Sequence, residues 1–404
     1  MRVEYADQPQ IGINLADPIF RGVYNGKQRH DDDLSSLLDR AKKVGCTKLI
    51  VTGSSFKTSR DALALAKEYP GTVYTTAGIH PCSSSIFDQA HPHSHEEDGD
   101  GDHTPACGPD PDKPILDDDL VVDPEKTESI ISDLRRLIED ARAAGPQPQP
   151  QQLVAFGEFG LDYDRLHYCA RSLQLHSFRS QLSLAASLSP QLPLFLHSRA
   201  AHGDFVACLK AAFGERLERL EEGGVVHSFT GTVEEMRELM DLGLYIGLNG
   251  CSFKTAENCE VVRAVRLDRL MIETDGPWCE VRPSHEGWQY LVEIDQKEKA
   301  AAEASEPALP PLENGEAAPQ AVKQPPKKQQ STKKPQKRES EVIERFKTVK
   351  KEKWVEGAMV KGRNEPCMIE RVAKVVAGIK GVSVEEICDA AWRNTVKVFG
   401  IDES

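Results

Sequence analysis

Short apolar runs alternate with stretches of helical spacing along most of the chain. The runs predict eight strands, at 10–14, 48–52, 72–78, 153–157, 193–196, 224–226, 244–248 and 270–274. Most are continuous apolar segments, as expected for parallel strands that are buried on both faces. The stretches between them repeat apolar residues every three or four positions, as amphipathic helices do. This alternation predicts an α/β protein, and eight strands favour a closed (β/α)8 barrel of the TIM type.

Two polar segments interrupt the pattern within what we interpret as a single barrel domain over 1–404. The first, 84–122, is acidic, and its part 91–119 holds ten Asp and Glu residues against one Lys. The second, 295–352, is rich in Ala and Pro and then in Lys, with a possible helix over 339–350. Because such compositions bury too little apolar surface to offset the entropy of ordering, we expect two disordered inserts.

Each insert carries one candidate feature beside the simpler interpretation of solvated charge. Four histidines of the acidic insert could bind a transition metal weakly: His91, His93, His95 and His103. The Lys-rich stretch 327–338 could be a nuclear-import signal or an arm that binds phosphate.

Composition narrows the class of protein further. The net charge of −14 argues against general adhesion of the surface to nucleic acid, although a bound metal ion can reverse the field locally. Ten cysteines without a Cys-x-x-Cys pair, and no signal peptide, predict reduced thiols in the cytoplasm or nucleus and no secretion. No apolar run approaches the ~18–20 residues needed to cross a bilayer, so no membrane partner is expected.

Acidic or imidazole side chains stand where five of the predicted strands end. They are His80, Glu158, His197, His227 and Asp275. The carboxyl ends of parallel barrel strands open onto one face, so these residues should converge there. A single histidine after an apolar run is usually a core or turn residue whose hydrogen bonds are satisfied. Five strands that end in acidic or imidazole side chains are harder to explain by packing, because a buried polar group without a partner costs free energy. The pattern predicts a metal site.

Eight short motifs follow one another along the chain: IGINLADP at 11–18, AGIHP at 77–81, GEFGLDYD at 157–164, FLHSR at 195–199, VHSFTG at 226–231, YIGLNG at 245–250, IETDGPW at 272–278 and RNEP at 363–366. In this order they resemble the TatD family of metal-dependent deoxyribonucleases, and are closest to its eukaryotic branch. The resemblance implies a distorted barrel of the amidohydrolase-like superfamily. It also implies one or two divalent metal ions and 3′-to-5′ exonuclease activity on DNA, with single strands or 3′ ends as the partner.

The resemblance also implies roles for the residues at the strand ends. By position, Glu158 resembles the carboxylate that bridges two metals, and His197, His227 and Asp275 resemble the other ligands. Mixed oxygen and imidazole donors leave Mg²⁺, Mn²⁺ and Zn²⁺ open, and the resemblance favours Mg²⁺. Asp275 could also accept the proton of the attacking water, while His80 would contact the scissile phosphate or a second metal.

Other charged residues of these motifs have two interpretations each. Arg199 and Arg363 can present a planar fork to phosphate, or can form a salt bridge with a neighbouring carboxylate. Asp162 and Asp164 could bind a metal through water or orient Arg165, or could be solvated loop acids.

Four positions depart from the usual family pattern. Gln10 stands where the family usually has Asp, which removes a candidate first-strand ligand and bears on whether a second ion binds. Phe159 and Ser198 each replace a usual Cys, and Gly276 replaces a usual Ala. Since none of these last three removes a charge, we expect them to be tolerated.

Metal-dependent hydrolysis of DNA from 3′ ends, in repair or in DNA breakdown during cell death, is the leading hypothesis. An amidohydrolase acting on a small cyclic amide or ester is the first alternative, although such enzymes commonly bridge their metals with a carboxylated Lys where this chain has Glu158. The second is a catalytically inactive scaffold, which would need none of the residues at the strand ends. The sequence does not indicate an oligomeric state.

Overall fold

The computed structural model describes residues 9–90, 114–115, 121–143, 151–305 and 342–401. Most of both predicted inserts therefore lies outside the described residues. The four insert histidines and the Lys-rich stretch 327–338 lie there too.

Eight parallel strands form one sheet in which chain order is also spatial order. Their bounds are Pro9–Ile13, Lys48–Val51, Val73–Ala77, Leu153–Asp162, Leu194–Arg199, Gly224–Val226, Tyr245–Leu248 and Leu270–Ile272. Just beyond the last strand, the Asp275 amide donates to the carbonyl of Gly12 in the first strand at 3.0 Å, and the Asn14 amide, just beyond the first strand, donates to the Gly276 carbonyl at 2.9 Å. These bonds bring the two edges together into a nearly closed barrel, so the predicted fold class is confirmed.

Ten α-helices of the described residues surround the strands or follow the last one. Their bounds are Leu34–Lys43, Phe56–Glu68, Pro124–Ala143, Arg171–Ser187, His202–Phe213, Val233–Asp241, Ala256–Ala264, Trp288–Ser305, Ile369–Lys380 and Val384–Phe399. The last helix packs against the end of the barrel, where Asn394 Nδ2 donates to the carbonyls of Leu267 and Leu270, each at 2.8 Å. A search of the described residues finds no helix with the length and apolarity required for a membrane span.

The fourth strand is longer than predicted and irregular in its middle. It continues to Asp162, and its pairing with the fifth strand shifts register between Gly157 and Phe159. A Cβ on Gly157 would lie 2.1 Å from the Phe195 carbonyl oxygen, so only glycine allows the two backbones this approach. Glu158 therefore lies inside an irregular strand rather than at its end, and such irregularities re-aim a side chain.

The predicted second insert is wider than the segment without described structure. The helix Trp288–Ser305 enters its range, and Asp295 is buried in a 2.7 Å ion pair with Lys374. On the far side, the described part of 339–350 contains the strand Thr348–Val349, which pairs with Met359–Val360, instead of the predicted helix. The composition of the chain does not predict these boundaries of the insert, because tertiary contacts and not local hydrophobicity determine them.

Two clusters of buried apolar side chains hold the barrel together. The larger lies between strands and helices. The smaller takes at least one residue from every strand, including Ile11, Ile50, Tyr74, Ala155, Phe195, Val225, Tyr245 and Met271. Because the smaller cluster needs all eight strands, it stabilises the curled sheet whose strand ends carry the polar residues described next.

Candidate metal centre

One carboxylate oxygen lies at the centre of the strand-end residues. Glu158 Oε1 is 2.6 Å from His227 Nε2, 3.1 Å from His197 Nδ1 and 3.4 Å from His80 Nε2. Glu158, His197 and His227 are buried, and the His80 side chain is 12% exposed. Four side chains that are remote in sequence thus meet as the strand-end pattern predicts.

Two outer carboxylates lie next to the ring nitrogens of His197 and His227 that face away from Glu158. Asp162 Oδ2 is 3.1 Å from His197 Nε2, and Glu273 Oε2 is 3.5 Å from His227 Nδ1. A carboxylate that is hydrogen-bonded as Asp162 is to His197 fixes the ring orientation of a metal-ligating histidine, whereas Glu273 Oε2 and His227 Nδ1 face each other without a hydrogen bond. Asp162 is fully buried and is not a solvated loop acid.

Glu273 was not among the residues singled out from the sequence. It is fully buried, and its Oε1 accepts hydrogen bonds from the Ser228 amide at 2.5 Å and from Asn249 Nδ2 at 3.3 Å. A Cβ on Gly12 would lie 2.2 Å from Glu273 Oε2, so the first strand leaves space for this carboxylate. A second acid two residues before Asp275 was the available sequence signal.

The inner donor atoms fit a divalent cation. Glu158 Oε1 lies 2.6 and 3.1 Å from His227 Nε2 and His197 Nδ1, and those two nitrogens are 3.4 Å apart. Atoms that share a cation at about 2.0–2.2 Å have similar spacing. Among the described residues, the ligand atoms of His80, Glu158 and His197 also lie within 4.8 Å of one another.

His80 differs from the other two imidazoles in its hydrogen bonding. Its Nδ1 accepts a 3.1 Å bond from the Cys82 amide, which caps the 3₁₀ helix Pro81–Phe87. In a neutral ring the hydrogen then resides on Nε2, which faces Glu158. Burial lowers the pKa of His80 to about 3, which keeps the ring neutral. His80 is therefore suited to donate a hydrogen bond through Nε2 rather than to bind a metal there.

The charges at the centre favour ionised Glu158 and protonated His227 in the described structure. Burial raises the pKa of Glu158, but His227 and His80 lower it by a larger amount, so the pKa lies well below its usual range. Burial lowers the pKa of His227, but Glu158 and Glu273 raise it well above its usual value. Ionised Glu158 and protonated His227 thus form a buried ion pair in which Oε1 and Nε2 are 2.6 Å apart.

Asp275 lies beside this ion pair with different partners. Its Oδ1 accepts from Asn14 Nδ2 at 3.1 Å, and its Oδ2 accepts from Cys279 Sγ at 3.3 Å. Burial raises the pKa of Asp275 to about 7, with His227 opposing and Glu273 adding to the rise.

Arg199 reaches the edge of the centre and borders an open groove. Its Nη1 is 3.6 Å from Asp162 Oδ2, and its side chain is 20% exposed. The groove has a volume of about 580 Å³ and is also lined by Ser198, Phe229 and Asp164. Arg165 also approaches Asp162, with Nε 3.6 Å from Oδ2.

Arg363 is not brought to the centre, and its predicted role in binding substrate is not supported. Its Nη1 and Nη2 lie 2.9 and 2.6 Å from the two oxygens of Asp33, and Nη2 is 2.8 Å from Glu365 Oε1. The side chain is 1% exposed. The structure shows the salt-bridge alternative, because buried carboxylates already engage the nitrogens that would hold phosphate.

Gln10 also lies away from the candidate ligands. It is buried, and its Nε2 donates to Thr274 Oγ1 at 2.5 Å and to the Gly12 carbonyl at 3.2 Å. The residue therefore joins the first strand to the segment after the last one through Nε2, while its buried Oε1 has no hydrogen-bond partner.

A nearly closed parallel barrel with buried carboxylates and imidazoles at its strand ends defines a metal-dependent hydrolase of the amidohydrolase-like type. The family model described as TatD related DNase matches residues 24–400. The chain belongs to this family.

Relatives from yeasts and bacteria align with most of the chain. "Deoxyribonuclease Tat-D" of Schizosaccharomyces pombe is 38% identical over 96% of this chain and 94% of its own length. The protein of the same name in Saccharomyces cerevisiae is 32% identical over 96% and 90%. A Pantoea protein named "3'-5' ssDNA/RNA exonuclease TatD" is 31% identical over 68% and 81%.

Two solved structures share the fold. A Saccharomyces cerevisiae protein described as an uncharacterized amidohydrolase superposes with a TM-score of 0.73 at 30% identity, covering 98% of this chain and 100% of its own. A TatD family hydrolase of Entamoeba histolytica gives a TM-score of 0.68 at 24% identity, with the same coverage of both chains. The yeast and amoebal structures agree with the barrel described above.

Proposed function

We propose that this protein hydrolyses phosphodiester bonds in DNA, removing nucleotides from 3′ ends of single strands, with a divalent cation held by Glu158, His197 and His227. The observation that carries the proposal is the convergence of both inner imidazole nitrogens on Glu158 Oε1 at 2.6 and 3.1 Å. The relatives' names, deoxyribonuclease and 3′-5′ exonuclease, supply the substrate class.

The bound cation would supply positive charge to the phosphate oxygens during in-line displacement, and would make a water molecule easier to deprotonate. We propose Mg²⁺ as the working ion because of the family resemblance, with Mn²⁺ and Zn²⁺ as competitors for the imidazoles. Asp275, whose backbone adjoins the first strand, is our candidate to take the proton from the attacking water or to bind a second ion.

We propose that two side chains contact the substrate phosphate. His80 presents Nε2–H toward the centre while its Nδ1 is held by the Cys82 amide, so it can donate to a phosphate oxygen without changing tautomer. Arg199 borders the groove with part of its side chain exposed, and its guanidinium can hold the next phosphate along the strand.

Single-stranded DNA labelled at its 5′ end provides the test. We expect a ladder that shortens one nucleotide at a time in Mg²⁺, stops with EDTA, and is blocked by a phosphorothioate at the 3′ terminus. Glu158→Gln keeps the shape of the side chain and removes its charge, so turnover should fall more than 10²-fold, about 3 kcal/mol in the barrier.

Other results would favour a different function. Cleavage that is unaffected by EDTA, or wild-type turnover in Glu158→Gln, would refute the proposed centre. Inactivity on DNA with metal-dependent cleavage of a cyclic amide would favour an amidohydrolase, and inactivity on both with intact binding of DNA would favour a scaffold. The carboxylated Lys common to amidohydrolases has no counterpart here, because position 158 is Glu.

We infer that the protein acts in the cytoplasm or nucleus, where DNA ends occur. Its described cysteines are all free thiols, including the buried Cys46, Cys208 and Cys388. Fractionation with an antibody to the untagged protein tests the location, and recovery in the secretory pathway would contradict it.

A further inference from the structure

Two cysteines meet beside the metal centre although 28 residues separate them. Cys251 lies in the 3₁₀ helix Gly250–Phe253 after the seventh strand, and Cys279 follows Asp275 by four residues. Their Sγ atoms are 2.8 Å apart, and both side chains are partly exposed. The two thiols thus approach each other at the surface of the site.

The backbones that carry this pair are packed directly together. A Cβ on Gly250 would lie 1.9 Å from the Cys279 carbonyl oxygen. The sulfurs need to approach by only about 0.8 Å to reach the length of a disulfide bond. No large movement of either segment is therefore required for a covalent link.

We propose that Cys251 and Cys279 form an oxidation-sensitive pair, in which a peroxide converts the two thiols into a disulfide that reversibly lowers the activity of the adjoining site. In the first step the Cys251 thiolate attacks one peroxide oxygen, forming a sulfenic acid, and the released hydroxide takes up a proton. In the second step the Cys279 sulfur attacks the sulfenic sulfur and expels its oxygen as water. Overall, two thiols and one hydrogen peroxide give one disulfide and two waters.

The surroundings assign different roles to the two sulfurs. The hydrogen bond from Cys279, with Lys254 and Arg199 contributing, lowers the pKa of Cys251 to about 6 despite burial. A larger thiolate fraction and partial exposure are the features of a peroxide-reactive cysteine that has a resolving partner. Cys279 is that resolving partner, because its Sγ lies 2.8 Å from Cys251 Sγ.

Disulfide formation would act on the centre through two existing hydrogen bonds. It would remove the single Sγ–H of Cys279, which lies 2.8 Å from Cys251 Sγ and 3.3 Å from Asp275 Oδ2 and donates to one of them at a time. It would also pull on Cys251, whose amide binds Asn249 Oδ1 at 2.8 Å, while Asn249 Nδ2 holds Glu273 Oε1. Because a 1 Å displacement near reacting groups can cost about 10²-fold in rate, we expect at least a roughly tenfold loss of turnover.

The experiment titrates the purified full chain with hydrogen peroxide, blocks the remaining thiols with an alkylating reagent and maps the peptides by mass spectrometry. We expect one cross-linked peptide pair containing Cys251 and Cys279, a parallel loss of DNA cleavage, and recovery of both after dithiothreitol. Cys251→Ser and Cys279→Ser should each abolish the cross-link and the reversible loss. Cys82→Ser, which removes another partly exposed thiol, should retain the cross-link.

The proposal is overturned if peroxide modifies other thiols without joining Cys251 to Cys279, or if the disulfide forms and turnover is unchanged. The effect on activity rests on the proposed nuclease function, but the peptide map does not. If the reduced protein cleaves no DNA, the function proposal fails by itself. The affinity for Mn²⁺, measured by calorimetry before and after oxidation, then decides the effect on the site, and equal affinities would overturn it.

Discussion

Replacing Arg363 by Met should destabilise the fold, because this side chain balances charge inside the protein. Arg363 makes three contacts of 2.6–2.9 Å with Asp33 and Glu365. A second guanidinium shares the same acids, since Arg40 Nε is 2.8 Å from Glu365 Oε2 and its Nη2 is 3.4 Å from Asp33 Oδ2. Removing Arg363 therefore leaves two buried carboxylates facing one cation.

The expected magnitude follows from the burial of all four groups. Breaking a buried ion pair by removing one partner costs about 3–5 kcal/mol. Each kcal/mol lowers the Tm by roughly 2–4 °C for a medium-sized domain, so we expect a fall of roughly 6–20 °C. Cleavage per folded molecule should stay close to that of the parent, because Arg363 lies away from the centre.

Thermal unfolding followed by circular dichroism measures this difference, and Arg21→Met is the matched control. Arg21 also pairs with two acids, at 2.8 and 3.2 Å, but its side chain is 45% exposed. Its loss should therefore cost under about 1 kcal/mol. Adding Asp33→Asn to Arg363→Met should recover part of the stability by removing the excess buried charge. If Arg363→Met melts like the parent and binds single-stranded DNA more weakly, the charge-balance argument is wrong and the phosphate-binding hypothesis returns.

Three further changes test the site and the domain bounds. Glu273→Gln should weaken Mn²⁺ binding about 10–100-fold in calorimetry, because it removes the negative charge that faces His227 Nδ1 at 3.5 Å, and unchanged affinity would refute that role. Trp278→Ala should cost about 1–3 kcal/mol of affinity for single-stranded DNA in fluorescence anisotropy, because the indole is 44% exposed near Asp275 and can stack on a base; equal binding would exclude stacking. A Gly/Ser linker in place of 306–341 should keep the Tm within a few degrees, whereas replacing 295–352 should lower it much further by removing the buried Asp295; equal melting of the two deletions would contradict the described boundaries.

The barrel could be predicted from the sequence because its signal is local and repeated. A buried parallel strand must be apolar on both faces, so each run of four to six residues predicts its own strand. The convergence of His80, His197 and His227 could be predicted from topology, since parallel strands end on one face, whereas Glu158 lies inside the fourth strand and depends on the register shift beside it as well. Neither inference requires knowledge of side-chain contacts.

The pairing of charges could not be predicted in the same way, since it depends on partners remote in sequence. Arg363 has the same chemistry whether it meets a phosphate or Asp33, which is 330 positions away. Glu273 looks like any strand acid until the fold places it against His227. The prediction for Asp162 left alternatives for the same reason: its burial excludes the solvated loop acid, and its 3.1 Å contact with His197 was not among the alternatives.

The backbone conformation just after the strands is the feature of the site that the sequence predicts least. Three non-glycine residues near strand ends have positive φ angles: 51° at Ala200, 49° at Ser228 and 51° at Asp275. Ala200 follows Arg199, Ser228 follows His227, and Asp275 ends the acidic segment after the last strand. A left-handed conformation at a non-glycine residue costs about 1–3 kcal/mol and persists only where the surroundings fix it. In an extended strand, Asp275 would share a face with Glu273, because side chains alternate with a period of two. Its left-handed backbone instead accompanies contacts with Asn14 and Cys279, so Glu273 faces the imidazole of His227 while Asp275 adjoins the proposed cysteine pair.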